Sequence, residues 1–158
     1  MNNLISIDPG LVHLGWAQWR SGTLYRCGLS SIPREVKSLS ERASRHHAAI
    51  QVVRDGERVY CERMMARGKF SSVDPQDLID LNLVAGRLGT EFLTSDQWKG
   101  SVPRDVEQDR TQNALTADEL KLLKPYDRTK KSGSGHNVWS AVGIGLSLLG
   151  RAHKGKIR

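Results

Sequence analysis

Leu4 to Ile7 form a short apolar run that stops at Asp8, Pro9 and Gly10, and a second strand-like run, Val12 to Trp19, follows at once. Proline removes a backbone donor and glycine admits turn conformations closed to other residues, so the pair ends one strand and reverses the chain. The chain therefore opens with a β-hairpin whose first strand ends on an acid. Thr23 to Ile32, rich in β-formers at its start, lies between the Ser21–Gly22 turn and Pro33 and predicts a third strand of an antiparallel meander.

From Arg34 to Arg54, Val36, Leu39, Ala43, Ile50 and Val53 recur at mostly helical spacing with charges between them. That spacing predicts an amphipathic helix ending near Asp55–Gly56. Arg58 to Met64 reads as a fourth strand with Glu62 near its end. A strand reached through a helix lies parallel to an earlier strand by a right-handed crossover, which brings Glu62 beside Asp8.

Asp74–Pro75 predicts the start of a second helix through Leu78, Leu81, Val84, Ala85 and Leu88. Glu91 to Thr94 predicts a fifth strand, Ser95 to Arg104 a loop, and a helical stretch begins near Asp105. Thr116 and Glu119 make a capping box for a further short helix. Residues 125–135 read as an exposed basic lead-in to a final helix from about His136 to Ala152, which is apolar on nearly every face and so should be buried. The fold class expected is α/β: a five-stranded mixed sheet, part antiparallel meander and part parallel, flanked by helices. With 158 residues the chain suits one domain, 1–158, with a basic tail over 152–158.

Lys and Arg outnumber Asp and Glu by 24 to 17, a net charge of +7, so a polyanionic partner gains from counterion release. Many basic domains bind no nucleic acid, and charge alone does not decide the matter. Cys27 and Cys61 form neither a disulfide framework nor a metal motif, the N-terminus lacks a signal-peptide pattern, and no apolar run approaches the roughly 20 residues of a membrane span. A cytoplasmic location is expected.

Function in such sheets collects at the carboxyl ends of the strands, where Asp8 and Glu62 both fall. Two carboxylates in one small volume repel unless cations share the site, and Mg²⁺ or Mn²⁺ suits hard oxygen ligands. Two such ions can activate a water and stabilise the leaving oxygen in phosphodiester cleavage. Taken singly, Asp8 reads first as a turn starter before Pro9–Gly10, and Glu62 as a solvated strand-end residue.

The segments ISIDPG with the later Gly15, VYCERM, SGHNVWSAVGIGL and DQWKGSVPR, in this order of elements, resemble the RNase H-like fold. More narrowly they resemble the RuvC family of Holliday junction resolvases, particularly its short bacteriophage-type members. The resemblance implies a metal-dependent, structure-specific endonuclease that cleaves Holliday junctions and other branched DNA, with two Mg²⁺ or Mn²⁺ ions per active site. Asp8 and Glu62 match the family's metal-binding acids. If phage-encoded, the protein would act in the bacterial host cytoplasm.

The family places another Asp in the last helix before an alanine, with an Asp or His one turn earlier. Here Ser140 precedes Ala141, while Asn137 and His136 stand three and four residues before it on the same helical face. The resemblance thus makes Asp8, Glu62, His136, Asn137 and Ser140 the catalytic set, with Asp8, Glu62 and His136 as metal ligands. A hydroxyl is a weak ligand beside a carboxylate. Ser140 is either the natural residue, with His136 and a water completing the shell, or a replacement that traps an uncleaved state. His136 also reads as an ordinary helix-start residue near Ser134–Gly135.

After Glu62 the chain carries Arg63, Met65, Arg67, Lys69 and Phe70, a mixture able to pair with phosphates and to insert an apolar wedge between bases. Phe70 serves as well as a core residue. Lys99, Arg104, Arg128, Lys130 and Lys131 are further DNA-phosphate candidates, with a solvated basic loop as the alternative. Trp98 beside Lys99 could stack on a base or anchor its loop to the core, the second being the commoner fate of a tryptophan, and His46 and His47 are expected to be surface or packing residues. The family acts as homodimers, which makes the helix from Asp74 to Thr90 the expected interface, its small Ala85, Gly86 and Gly89 permitting close approach, although they could equally pack against the sheet. Two other functions are carried: an RNase H-fold nuclease acting on RNA, and a junction-binding protein deficient in cleavage because Ser140 replaces the expected Asp. An actin-like ATPase would need two such domains and a longer chain.

Overall fold

In the first strand Leu4, Ile5 and Ile7 are all buried, with no alternation, because both faces of the strand are covered. The structure is a computed structural model that describes residues 3–53, 57–65, 74–89, 91–129 and 134–152. Its elements in chain order are β1 (Leu4–Asp8), β2 (His13–Arg20), β3 (Thr23–Ser31), α1 (Leu39–Val53), β4 (Arg58–Arg63), α2 (Pro75–Leu88) and β5 (Glu91–Thr94). There follow α3 (Ser95–Trp98), α4 (Arg104–Ala114), α5 (Ala117–Leu123) and α6 (Gly135–Leu148). The sheet runs β3-β2-β1-β4-β5. β1, β2 and β3 pair antiparallel, and β4 joins β1 and β5 in parallel, as the crossover through α1 requires.

Apolar clusters fill the two faces, with a smaller third formed by Leu93, Trp98 and Ile144. On one, Ala17 and Trp19 of β2 pack with Val138, Val142 and Leu146 of α6. On the other, Ile5, Ile7, Val59 and Cys61 pack with Ile50 of α1 and with Val84 and Leu88 of α2. α6 is buried from Val138 through Ser147, in keeping with its almost wholly apolar sequence. A buried polar seam fixes its height on the sheet: Ser6 donates to the carbonyl of Ala141 at 2.7 Å and accepts from the Trp19 indole at 3.1 Å.

Three boundaries depart from expectation, each for a local reason. α1 begins at Leu39, not Arg34, because Val36 turns back onto the Pro33 carbonyl and the Ser38 hydroxyl accepts from the Glu41 amide. The stretch expected as loop after β5 contains α3, started by a capping box in which Gln97 accepts from the Thr94 amide at 2.7 Å. α6 stops at Leu148 rather than Ala152. Gly150, at φ +68°, closes it, with Arg151 and Gly150 amides donating to the carbonyls of Leu146 and Ser147. The Arg151 side chain then grips both carboxylate oxygens of buried Glu119 at 2.7 Å, tying the chain exit to α5.

Candidate active site

Asp8 ends β1 and Glu62 lies near the end of β4. The parallel register pairs Ile7 with Cys61, so the two acids follow side by side at the carboxyl edge of the sheet. Glu62 is buried and Asp8 half-buried. Burial first, and the Glu62 charge second, hold the Asp8 carboxyl well above its usual range, while Lys99 and Arg104 pull the other way. Between the two acids in sequence, the Cys61 thiol is pushed well up by burial and by both acids, so it stays a neutral packing group and no thiolate nucleophile.

On its other side Asp8 faces Gly15 of β2. A Cβ at position 15 would overlap the Asn137 backbone, so this glycine is what lets the first turn of α6 approach the hairpin. The Asn137 amide group donates to the His13 carbonyl at 2.7 Å. Ser140 is buried on α6 between this contact and the Ala141 carbonyl held by Ser6. His136 lines an open groove between α4 and the start of α6, together with Arg104, Asp105, Asp109 and Arg128. Arg128 is paired with Asp109 at 2.7 Å and lies over the Trp139 ring.

Of the basic candidates, Lys99 and Arg104 act on Asp8. Trp98 is buried and anchors α3, with the Lys99 ammonium 5.1 Å from its ring, so stacking on a base is not its role here. Arg63 and Met65 are exposed beyond Glu62, where Asn82 of α2 exchanges two hydrogen bonds with the Met64 backbone and steers the chain off the sheet. Arg67, Lys69, Phe70, Lys130 and Lys131 lie outside the described residues. His46 is wholly buried, a packing residue bonded to Ser30, and His47 pairs with Gln51 on the same helix.

One acid at this edge escaped the sequence reading. Glu107 of α4 is buried, accepts from the Thr111 hydroxyl at 2.8 Å, and has its carboxyl raised to about 7, chiefly by burial. Its charge acts on Asp8 and Glu62, and Lys99 and Arg104 act on it. The sequence carries little signal for this, because α4 (RDVEQDRTQNA) lacks an apolar stripe to mark its inner face. The Glu107/Thr111 spacing of one helical turn is the sole hint.

Among the described residues no three His, Cys, Asp or Glu side chains are grouped so that they could hold a metal ion by themselves. The donor set fits an open site instead: Mg²⁺ commonly takes one or two carboxylates and completes its shell with waters and substrate phosphate oxygens. The close approach of Asp8 and Glu62, repulsive when both are ionised, is the feature that a divalent cation would relieve.

No protein-family model matches the sequence, and no curated protein matches it. Among solved structures, Thermus thermophilus RuvC in complex with Holliday junction substrate is similar over 95% of this chain and 97% of that one, at 14% identity and a TM-score of 0.53. A second structure of Thermus thermophilus RuvC is similar over 95% and 98%, at 15% identity and a TM-score of 0.54. The fold is therefore the RuvC-like, RNase H-like one across nearly the whole chain. Among the described residues no helix is long and apolar enough to cross a membrane.

Proposed function

We propose that this chain is a RuvC-like endonuclease that cleaves Holliday junctions and other branched DNA, using two Mg²⁺ or Mn²⁺ ions per active site. The observation that carries the reading is the pairing of Asp8 and Glu62 on parallel strands at the carboxyl edge, with Lys99 and Arg104 within electrostatic reach. Thermus thermophilus RuvC, solved with a junction substrate, shares this fold, and a net charge of +7 suits a polyanionic partner.

Asp8 and Glu62 would hold the ions, which when bound supply an activated water and stabilise the leaving oxygen of the phosphodiester. Lys99 and Arg104 draw the scissile phosphate toward the acids and offset its charge. His136 and Arg128, on the groove beside Arg104, extend a path for the strand backbone. Arg63 and Met65 meet the DNA where β4 ends, and the segment with Arg67, Lys69 and Phe70 carries the contacts toward the junction centre. Lys130 and Lys131 add phosphate contacts ahead of α6.

A two-fold substrate calls for two active sites, and we assign the homodimer interface to α2. Its exposed face bears Ile79 and Leu83 one turn apart, with open space over Gly86. The test is cleavage of four-way DNA, flapped DNA, an RNA–DNA hybrid and structured RNA with Mg²⁺ or Mn²⁺. Preferential, paired nicking of the four-way DNA supports the reading. Equal or better cleavage of RNA substrates contradicts it.

A further inference from the structure

The RuvC-like pattern calls for a carboxylate on the last helix, yet α6 (GHNVWSAVGIGLSL) contains none. Ser140 stands at the expected position, and Gly143 follows it on the same helical face one turn later. The space above Gly143 is taken by a carboxylate from another helix. A Cβ at position 143 would overlap Oε1 of Glu107 and press on the Thr111 hydroxyl and the Trp98 ring. α6 thus lacks an acid and also lacks the side-chain atom that would keep a neighbouring acid away.

Burying a carboxylate is costly unless it is paired, yet Glu107 is 5% exposed and receives a hydrogen bond only from the uncharged Thr111 hydroxyl among the described residues. Lys99 and Arg104 reach it electrostatically without a described ion pair. Glu107 also borders a small cavity with Trp98, Lys99, Thr111 and Gly143, and the buried indole N–H of Trp98 has no described partner. A fold that keeps an acid in this position, within electrostatic reach of both Asp8 and Glu62, gains most if a cation shares the site.

Resting on the metal-dependent reading above, we propose that Glu107 supplies the third acidic group of the metal site, in place of the acid that α6 does not carry. The carboxylate comes from α4 and crosses over Gly143 to serve the edge that Ser140 leaves without one. It acts through a bound water rather than as a direct ligand, because among the described residues no three His, Cys, Asp or Glu side chains are grouped closely enough to hold one ion together. Ser140 is then a compatible residue of this arrangement rather than a defect.

The test is Mn²⁺ binding by the full chain, followed by calorimetry and by the electron paramagnetic resonance signal of free Mn²⁺, with no DNA present. Glu107→Gln keeps the shape and the Thr111 hydrogen bond, so folding is retained while affinity should fall at least about tenfold, the lower end of what losing even an outer-shell partner costs. Gly143→Ala displaces the carboxylate without removing it and should weaken binding in the same direction. Adding Ser140→Asp to Glu107→Gln should restore affinity, because the acid returns to α6.

Unchanged Mn²⁺ affinity in Glu107→Gln and Gly143→Ala, alongside a loss in Asp8→Asn, overturns this inference and leaves the metal-dependent reading standing. A double variant as weak as Glu107→Gln alone overturns the claim that Glu107 replaces an α6 acid. Absence of Mn²⁺ binding by the unaltered protein overturns both.

Discussion

The side-chain amide of Asn137 donates to the backbone carbonyl of His13 across 2.7 Å, joining the first turn of α6 to the strand that pairs with Asp8's own. The link spans 124 residues of sequence and is possible because Gly15 presents no Cβ to the helix backbone. Asn137 therefore sets where α6 stands relative to the acidic edge. Its amide nitrogen is committed to the hairpin.

Removing that donor leaves the His13 carbonyl without it in a half-buried place. Asn137→Ala should destabilise the fold by about 1–3 kcal/mol. Urea unfolding checks this through a lower midpoint at an unchanged slope. A midpoint equal to the unaltered protein's would show that apolar packing alone positions α6.

The exposed apolar face of α2 makes a separate prediction. Ile79 and Leu83 are 54% and 58% exposed, one turn apart on a helix whose other face packs in the core. If this face joins two copies, Ile79→Glu with Leu83→Glu should convert a dimer to a monomer and leave the fold intact. Light scattering across a concentration series measures it. A dimer that survives both substitutions places the interface elsewhere.

Acid should weaken the fold through His46. Burial lowers its pKa from 6.5 to about 4, so the folded state resists a proton that the unfolded chain accepts. The stability it contributes is present above about pH 6.5 and is lost as pH falls toward about 4. His46→Leu should flatten that part of the stability curve, measured by thermal unfolding between those pH values. The same slope in the variant would assign the acid sensitivity to other groups.

Much of this architecture is legible in the sequence because strand ends and helix starts are marked by short-range chemistry. Asp8–Pro9–Gly10 closes β1, Asp74 caps α2 by accepting from the Gln76 amide, and Thr116 with Glu119 starts α5. The pairing of Asp8 with Glu62 follows from the crossover rule and the observed register agrees. What escaped was equally local but masked by its surroundings. The Thr94–Gln97 box that nucleates α3 sits in a stretch with no apolar periodicity, and the glycine that ends α6 was hidden by the apolar residues around it.

Glu107 was the hardest to see. Its burial depends on α4 packing against α6 at a glycine, a contact between residues 36 positions apart that no single-segment pattern encodes. His136, expected as a metal ligand, lines the groove with Arg104 and Arg128. Helical spacing places it on the face of Ser140 but does not determine which neighbour that side chain meets.

Junction cleavage by the unaltered protein beside Asp8→Asn and Glu62→Gln tests the central claim most directly. Each substitution keeps the shape of the acid and removes its charge, so both variants should still bind four-way DNA. Cleavage should fall at least about a thousandfold, corresponding to roughly 4 kcal/mol of lost transition-state stabilisation. Cleavage at the unaltered rate by either variant would contradict a metal site built on Asp8 and Glu62.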